Sequence, residues 1–169
     1  MIKHKILTFE TSDRKVDFRN IREEVFAFVE ESGVKNGIVN IQTPHTTCSV
    51  FFEEMVHDFD IKGDEFLQVD LNHGLTKLFP KQESEDHYYR YPGPEHRKFG
   101  VENDPDVAKD TSLLLNGDAH LKASLLGASE TFAVIDGVVQ TGQWGYIYFV
   151  DWDSCRPRTR KCILTLIGE

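Results

Sequence analysis

The order of apolar and polar residues predicts a strand and then a helix at the start of the chain. Residues 2–9 are β-branched or apolar between charges, as expected for a first strand. The apolar side chains of residues 18–29 then fall on one helical face, with charged residues mostly opposite. We predict a helix here, with Asp17 as its N-cap and Gly33 as its C-terminal stop.

A second helix and a long loop are predicted for the middle of the chain. Apolar residues keep helical spacing over residues 64–79, and Pro80 ends that pattern. Residues 81–110 are rich in Pro, Gly, Asp, Glu and His and show no period. We therefore predict one long surface loop there, because unpatterned segments of this length are usually functional or mobile.

The other apolar runs have the length and the β-branched or aromatic content of strands. They cover residues 37–41, 49–52, 130–135, 138–140, 144–152 and 160–167. Asp136-Gly137, between two of these runs, is a strong hairpin signal. We predict one α+β domain over residues 1–169, with roughly seven strands in antiparallel or mixed sheets beside two longer helices.

Composition and charge narrow the class of protein. The chain is 40% hydrophobic and 11% aromatic, as expected for a folded domain. Its formal net charge of −9 repels phosphate backbones and anionic lipids, so we expect neither nucleic-acid nor membrane partners. The three cysteines form no CxxC pair, which indicates a reducing compartment, and no apolar run has the length of a bilayer span. We expect a cytoplasmic protein.

Two short polar clusters interrupt this pattern. Residues 116–127 read NGDAHLKASLLG and begin with an amide, a carboxylate, an imidazole and an amine within seven residues. Asn116 or Asp118 could cap a helix that stops at Gly127, and such a helix of about two turns needs tertiary contacts to be stable. The other cluster, His45-Thr46-Thr47-Cys48, lies at the end of a predicted strand. We predict that the two clusters meet in one site.

His45 and His120 are the best paired candidates for chemistry. A neutral imidazole binds zinc and similar metals, and it also transfers protons near neutral pH. Glu54 and Asp118 each offer a carboxylate as a metal ligand, a general base or a partner for a histidine. The alternative is that the histidines are hydrogen-bonded structural residues and that the carboxylates are solvated surface charge.

Six other residues give weaker indications. Arg156 and Arg158 could hold a phosphate or a carboxylate, although a charged turn between two strands is the ordinary alternative. Trp144 could line an apolar pocket or belong to the core. Cys48 could be a nucleophile or a soft metal ligand, although a small buried residue is expected at a strand start. His87 and His96, together with three tyrosines, indicate that the long loop forms a lid or a subunit contact.

Three blocks of the sequence carry a family pattern. They are His45-Thr46-Thr47 followed by Glu54, residues 116–127 followed by Asp136-Gly137, and Gly142-Gln143-Trp144 followed by an aromatic strand and residues 153–156. In these blocks the chain resembles the YjbQ family, whose members are secondary thiamine-phosphate synthase enzymes. The blocks and the order of helices and strands extend the resemblance over nearly the whole chain.

The sequence departs from that pattern at several positions. Gly145 replaces the glutamine that usually follows the tryptophan, and Ser154-Cys155 replaces a Gly-Pro pair. Tyr91 stands where many relatives carry a histidine, and His87 or His96 could take over that role. A third metal ligand is therefore not fixed by the resemblance.

The resemblance implies a sandwich-like arrangement of β-sheets flanked by helices and assembled as a homotrimer, with sites at the subunit boundaries. It also implies a histidine-lined pocket formed by His45 and His120. That pocket would hold a divalent metal such as zinc, manganese or magnesium, and nothing indicates an organic cofactor.

We accordingly expect a small enzyme that acts on phosphorylated small molecules. The expected catalytic residues are His45, Glu54, Asp118, His120 and Arg156. The expected substrate-binding residues are Thr46, Thr47, Asn116, Lys122 and Trp144. The activity that the resemblance implies joins a pyrimidine diphosphate to a thiazole phosphate. The alternative is a non-catalytic trimeric protein that binds a metal or a small ligand.

Overall fold

The computed structural model describes residues 1–13, 15–85 and 88–169, which contain eight strands and five helices. The strands are β1 (Ile2–Glu10), β2 (Asp17–Asn20), β3 (Gly37–Gln42), β4 (Cys48–Glu54), β5 (Ser129–Ile135), β6 (Val138–Val139), β7 (Gly145–Asp151) and β8 (Thr159–Gly168). The helices are α1 (Arg22–Ser32), α2 (Phe66–Leu78), α3 (Gly93–Asn103), α4 (Pro105–Lys109) and α5 (Gly117–Leu126), with a 3-10 turn at Thr111–Leu114. This order is an α+β fold, as predicted.

The strands form two sheets in which every neighbouring pair is antiparallel. The five-stranded sheet has the order β1-β8-β3-β5-β6, and the three-stranded sheet has the order β2-β7-β4. Among these strands only β5 and β6 are consecutive in sequence and paired as a hairpin, and the other neighbours are brought together from distant parts of the chain. This confirms the predicted antiparallel sheets flanked by helices.

Two apolar cores lie on the two sides of the three-stranded sheet. In the larger core, Ile147 and Phe149 of β7 pack with the five-stranded sheet and with α1. In the smaller core, Tyr148 and Val150 of β7 pack with α2 and α5. Because successive side chains of a strand point to opposite faces, β7 is buried on both faces. The molecule thus has three layers, and α5 lies in the outer helical one.

The outer face of the five-stranded sheet carries an exposed apolar patch. We call it the isoleucine face, and its exposed residues are Ile2, Ile6, Ile38, Ile135, Val138 and Ile167. The register places Ile2 beside Ile167, and Ile167 beside Ile38, so these side chains form one continuous patch across adjacent strands. An apolar patch on one sheet face is typical of an interaction surface.

The prediction for Asp17 was wrong. Asp17–Asn20 is the short strand β2, which pairs with β7 so that Phe18 lies opposite Val150, and helix α1 begins only at Arg22. Phe18 kept the helical spacing of the following residues, but it packs beside Trp152 in the smaller core. Gly33 ends α1 with φ +75°, a conformation that favours glycine, as predicted.

The predicted long loop at residues 81–110 was also wrong in part, because it contains α3 and α4. Asp104 caps α4 by accepting hydrogen bonds from the backbone N–H groups of Asp106 and Val107. Gly100 of α3 packs so closely on Leu114 and Val107 that a Cβ there would lie 3.2 Å from both. The loop starts after α2 as predicted, but it ends where α3 begins at Gly93 and not at residue 110, and His87 lies outside the described residues.

The remaining predicted elements are confirmed. Helix α2 ends before Pro80, and the hairpin between β5 and β6 turns at Asp136 and Gly137, which have φ +53° and +81°. No helix within residues 1–13, 15–85 and 88–169 is long and apolar enough to cross a membrane.

Candidate functional site

Helix α5 begins at Gly117 and is longer than predicted, with ten residues ending before Gly127. Asn116 occupies the N-cap position, but its side chain does not cap the helix. Its amide nitrogen Nδ2 instead donates a 2.9 Å hydrogen bond to Oδ2 of Asp153, beyond the end of β7. The start of α5 is held by Gln82, whose Oε1 accepts from the Gly117 N–H at 2.7 Å. A Cβ on Gly117 would lie 2.8 Å from that same oxygen, so a larger residue here would displace the Gln82 side chain that holds the start of the helix.

The polar residues of α5 divide into two opposite faces. Asn116 and His120 are four residues apart and therefore share one face of the helix. Asp118 and Lys122 are also four residues apart, but they lie about 200° around the helix from the first pair. The structure confirms this separation, because the two pairs line different cavities.

The two polar clusters predicted from sequence do meet. A cavity of about 280 Å³, which we call the histidine cavity, is lined by His45, Thr46, Thr47, Asn116, His120 and Arg156 from the predicted set. It is also lined by Arg158, the second arginine predicted to hold a phosphate, and by Asp153 and Arg160, which sequence reasoning missed as site residues. The cavity therefore combines two imidazoles with three guanidinium groups and one carboxylate.

His45 is held in place by the backbone of β8. Its Nε2 accepts a 2.9 Å hydrogen bond from the N–H of Lys161. Burial lowers the pKa of His45, and the positive charge of Arg160 lowers it further. A neutral ring that accepts at Nε2 carries its proton on Nδ1, so neither nitrogen has a lone pair to spare. His45 is therefore arranged as a positioning residue.

The accepting nitrogen of His120 makes only a long contact, 3.5 Å from Nε2 to the hydroxyl of Tyr91. Burial lowers the pKa of His120, and a hydrogen bond to the Thr46 backbone opposes that shift. Because Nε2 faces the Tyr91 hydroxyl, we assign the ring proton to Nδ1, whose N–H donates to the Thr46 backbone. The neutral ring then has its lone pair on Nε2, where it can accept a proton.

Tyr91 joins His120 to a third imidazole. The Tyr91 hydroxyl lies 3.4 Å from Nε2 of His96, and the ring of Tyr91 lies about equally close to the rings of both histidines. Burial raises the pKa of Tyr91, so its hydroxyl is protonated at neutral pH. Tyr91 thus occupies the space between two imidazoles.

The three arginines of the histidine cavity are each anchored by a carboxylate. The N···O distances are 2.7 Å from Arg156 to Asp104, 2.7 Å from Arg158 to Asp153 and 2.6 Å from Arg160 to Asp151. The Arg160–Asp151 pair is buried, and Nη2 of Arg160 also donates to Oγ1 of Thr47 at 2.9 Å.

Unpaired polar atoms lie in the same wall. Within the described residues, Nε of Arg156, Nε of Arg158 and Oδ1 of Asn116 are buried without a hydrogen-bond partner. Buried polar atoms are nearly always paired, so such a group of three indicates a place for a bound polar molecule. Burial would raise the pKa of Asp153, but the hydrogen bond from the Cys155 N–H and the charge of Arg158 lower it, so the wall keeps one carboxylate among its arginines.

Four predicted site residues lie away from the histidine cavity. Asp118 and Lys122 line a second cavity of about 290 Å³ on the other face of α5. Glu54 and Trp144 line a third cavity of about 430 Å³ beside the end of β4. The register explains the displacement of Glu54, because β4 carries it opposite Gly145, at the far end of the strand from His45. The predicted single site is therefore divided among three places.

Cys48 is a core residue. It is 1% exposed, and burial raises the pKa of its thiol far above the usual range, with the charge of Asp151 adding to the effect. A thiol that stays protonated is neither a nucleophile nor a metal ligand.

The metal that the resemblance implies requires a set of ligands. No group of three or more His, Cys, Asp or Glu side chains that could hold a metal ion occurs within the described residues. The bond from the Lys161 N–H occupies the Nε2 lone pair of His45, so the pair of His45 and His120 does not fit a metal in this arrangement. His87, one of the two suggested third ligands, lies outside the described residues.

Comparison with known proteins gives one consistent family. Residues 5–169 match the family model described as "UPF0047 protein YjbQ-like". The YugU protein of Bacillus subtilis, a UPF0047 protein, is 29% identical over 164 residues, covering 97% of this chain and 98% of YugU. A UPF0047 protein of Archaeoglobus fulgidus is 30% identical over 158 residues, covering 94% of this chain and 96% of that protein.

Solved structures show the same fold. The crystal structure of a YjbQ/UPF0047 family protein from Clostridium acetobutylicum superposes with a TM-score of 0.69 at 29% identity, covering 96% of this chain and 99% of the other. A protein of Sulfolobus solfataricus, described as YbjQ-like and of unknown function, gives a TM-score of 0.69 at 24% identity with both chains covered completely.

Proposed function

The chain belongs to the YjbQ-like UPF0047 family, and from this premise we propose that it is an enzyme that acts on a phosphorylated small molecule in the histidine cavity. The observation that carries the proposal is the convergence of three arginines with His120 on one cavity. Arginine binds phosphate oxygens in a planar, bidentate geometry, and a neutral histidine transfers protons. The combination supports a reaction on a phosphorylated substrate.

The phosphate would bind at Arg156 and Arg158. Each side chain is about one-fifth exposed and already aligned by a carboxylate, so little side-chain entropy is lost when it binds an oxyanion. The free amide oxygen of Asn116 supplies an acceptor nearby for a hydroxyl or amine of the same ligand. The chain's net charge of −9 does not oppose this binding, because the local charge of the cavity is positive.

His120 would accept a proton from the bound substrate. Its lowered pKa leaves the ring neutral at pH 7, and Nε2 carries the lone pair. Two hydrogen bonds fix the orientation of this wall: His120 donates to the Thr46 backbone, and Nη2 of Arg160 donates to Oγ1 of Thr47. In this proposal His120 is the catalytic base, and His45 positions the loop that bears the threonines.

The first reaction to test is the one that the family resemblance implies. As the carbon–oxygen bond of the pyrimidine diphosphate breaks, its electron pair leaves with pyrophosphate, and His120 accepts a proton from the amino group of the pyrimidine. The ring nitrogen of the thiazole phosphate then attacks the methylene carbon, a carbon–nitrogen bond forms, and the proton returns from His120 to the amino group. Guanidinium groups would offset the charge that develops on that leaving group, which is the largest electrostatic demand of such a step.

Formation of product should be followed for the wild-type protein, His120→Ala and His73→Ala, a control that removes an exposed histidine from α2. We expect a rate at least about 100-fold lower for His120→Ala and an unchanged rate for His73→Ala. Equal rates for all three proteins would overturn the catalytic role of His120. Tight binding of thiazole phosphate without turnover would favour the non-catalytic binding protein instead.

The divalent metal stays a prediction, and the hydrogen bond of His45 does not favour it. Thermal unfolding with and without zinc, manganese or magnesium tests it, because a ligand that binds only the folded state raises the midpoint. A metal-dependent rise that is lost in both His45→Ala and His120→Ala would support the metal site.

We also propose that the chain assembles as a homotrimer and that the isoleucine face lies in the contact. Six large apolar side chains on this face are between 43% and 65% exposed in the single chain. Such a surface is unfavourable in water and is covered when copies associate.

A further inference from the structure

Lys122 is a buried cation on the face of α5 that turns away from the histidine cavity. Only 3% of its surface is exposed. Its ammonium donates hydrogen bonds to Oδ1 of Asn72 at 3.2 Å and to Oγ1 of Thr76 at 3.0 Å, both on α2. Oδ2 of Asp118 lies 3.9 Å away, beyond hydrogen-bond distance. Within the described residues, one of the three ammonium N–H groups therefore has no partner.

This ammonium borders an open space and not a packed core. The second cavity, which we call the lysine cavity, measures about 290 Å³ and is lined by Lys122, Asn72 and Thr76. A lysine that served only to join α2 to α5 would need no cavity beside it. Ligand sites have volumes from about 300 Å³ upwards, so this one suits a small molecule.

One wall of the lysine cavity is apolar. It is formed by Val16, Phe18, Val69 and Trp152. Nζ of Lys122 lies 5.9 Å from the centre of the Trp152 ring, so the charge and the aromatic surface are adjacent. An apolar wall with one convergent charged group is the usual composition of a small-molecule site.

The charged residues of the lysine cavity leave a surplus of one positive charge. Its four lysines are Lys15, Lys62, Lys81 and Lys122, and its three aspartates are Asp60, Asp64 and Asp118. All three carboxylates are already engaged, and Oδ1 of Asp118 accepts the Gln82 N–H at 3.3 Å. Asp64 pairs with Lys15 at 2.5 Å, and Asp60 accepts the backbone N–H groups of Lys62 and Asp64. A single negative charge would therefore balance the cavity.

We propose that the lysine cavity binds a small aromatic monocarboxylate, with its carboxylate on Lys122 and its ring against Trp152 and Phe18. A carboxylate accepts the free N–H of the ammonium in a charge-assisted hydrogen bond. A phosphate monoester would bring nearly two negative charges close to Asp118 and is matched less well by the surplus of one. This site shares no residue with the phosphate site at Arg156 and Arg158.

Fluorine NMR of 4-fluorobenzoate added to the intact protein tests the site, with 4-fluorobenzyl alcohol as the neutral probe of equal size. We expect saturable binding of 4-fluorobenzoate to the wild type and to His120→Ala. Lys122→Met keeps the volume of the side chain and removes its charge, so we expect its dissociation constant for 4-fluorobenzoate to be at least ten times larger. The alcohol should bind weakly, and with the same affinity to the wild type and to Lys122→Met.

A second variant covers the case in which Lys122→Met does not fold. Val69 is half-buried on α2 and lines the cavity, so Val69→Phe fills the space without removing a buried charge. We expect it to abolish 4-fluorobenzoate binding. Unchanged binding by either folded variant would overturn the proposal. Binding that is lost in His120→Ala but kept in Lys122→Met would also overturn it, because it would place the carboxylate in the histidine cavity.

Discussion

The hydroxyl oxygen of Tyr91 lies 3.5 Å from Nε2 of His120. Because the ring N–H of His120 is directed to the Thr46 backbone, the tyrosine is the donor in this contact. The tyrosine donates to the lone pair on Nε2 of His120, so this hydrogen bond exists only while the imidazole is neutral. Tyr91 therefore adds to burial in keeping His120 unprotonated.

Replacing Tyr91 with phenylalanine should raise the pKa of His120, because the neutral ring loses its donor while burial is kept. His120 accepts a proton only above its pKa, so activity falls as the pH falls through that value. The acidic limb of the rate profile should therefore move to higher pH in Tyr91→Phe. NMR titration of the His120 ring measures the shift directly. Tyr88→Phe, at an exposed tyrosine nearby, is the control, and an equal pKa in all three proteins would refute the assigned hydrogen bond.

Replacing Arg156 with methionine should weaken phosphate binding. A charge-assisted hydrogen bond is worth about 1.5–3 kcal/mol, so the dissociation constant for thiazole phosphate should rise about 10- to 150-fold. Arg19→Met is a matched control, because Arg19 also pairs with a carboxylate but lies outside the histidine cavity. Calorimetric titration of the three proteins gives the comparison. Similar affinities would place the phosphate elsewhere.

Replacing Asp151 with asparagine should destabilise the fold. Asp151 is fully buried, and its two oxygens accept from Nε and Nη2 of Arg160 at 2.6 and 3.2 Å. Removing one member of a buried pair leaves an uncompensated charge, and we expect the free energy of unfolding to fall by about 3–5 kcal/mol. Glu31→Gln breaks an exposed pair with Lys5 and should cost less than about 1 kcal/mol. Urea unfolding measures both, and comparable losses would show that burial of the pair does not matter.

A lysine at Ile6 should prevent self-association. Ile6 is 58% exposed on the isoleucine face, and a cation there would have to be buried in any contact through that face. Ile61→Lys is the control, because Ile61 is fully exposed on a loop away from this sheet. Sedimentation analysis should show a trimer for the wild type and Ile61→Lys, and a monomer for Ile6→Lys. A trimer that survives in Ile6→Lys would place the contact on another surface.

The α+β class and most element bounds could be predicted, because apolar spacing and turn residues are local signals. Phe18 shows where such signals fail. Its spacing suits the helix that follows, but pairing with Val150 makes it part of a strand, and that pairing depends on residues far away in sequence. Helices α3 and α4 were missed because their apolar faces are small, although Asp104-Pro105 is a local start signal.

The candidate site could be predicted in part. Residue type identified His45 and His120 as candidates, but only the fold shows that they line the same cavity. The opposite directions of Asn116 and Asp118 were available from helical geometry, which places positions two apart about 200° around the axis. Arg160 follows the same alternation as Cys162 and Leu164 on β8, so its inward direction could also have been read. The displacement of Glu54 could not, because it depends on the length of β4.

The burial of β7, the central strand of the three-stranded sheet, determines which parts of the fold can unfold first. Strand β7 is hydrogen-bonded to β2 on one side and to β4 on the other, and apolar layers cover both of its faces. Its backbone amides can meet solvent only when both cores separate, so their exchange with deuterated water should report global unfolding. The histidine cavity and the lysine cavity both border α5, which lies in the outer layer. The backbone amides of α5 can exchange with solvent after only a partial opening of the fold. Motions of the ligand sites can therefore occur while the centre of the fold stays closed.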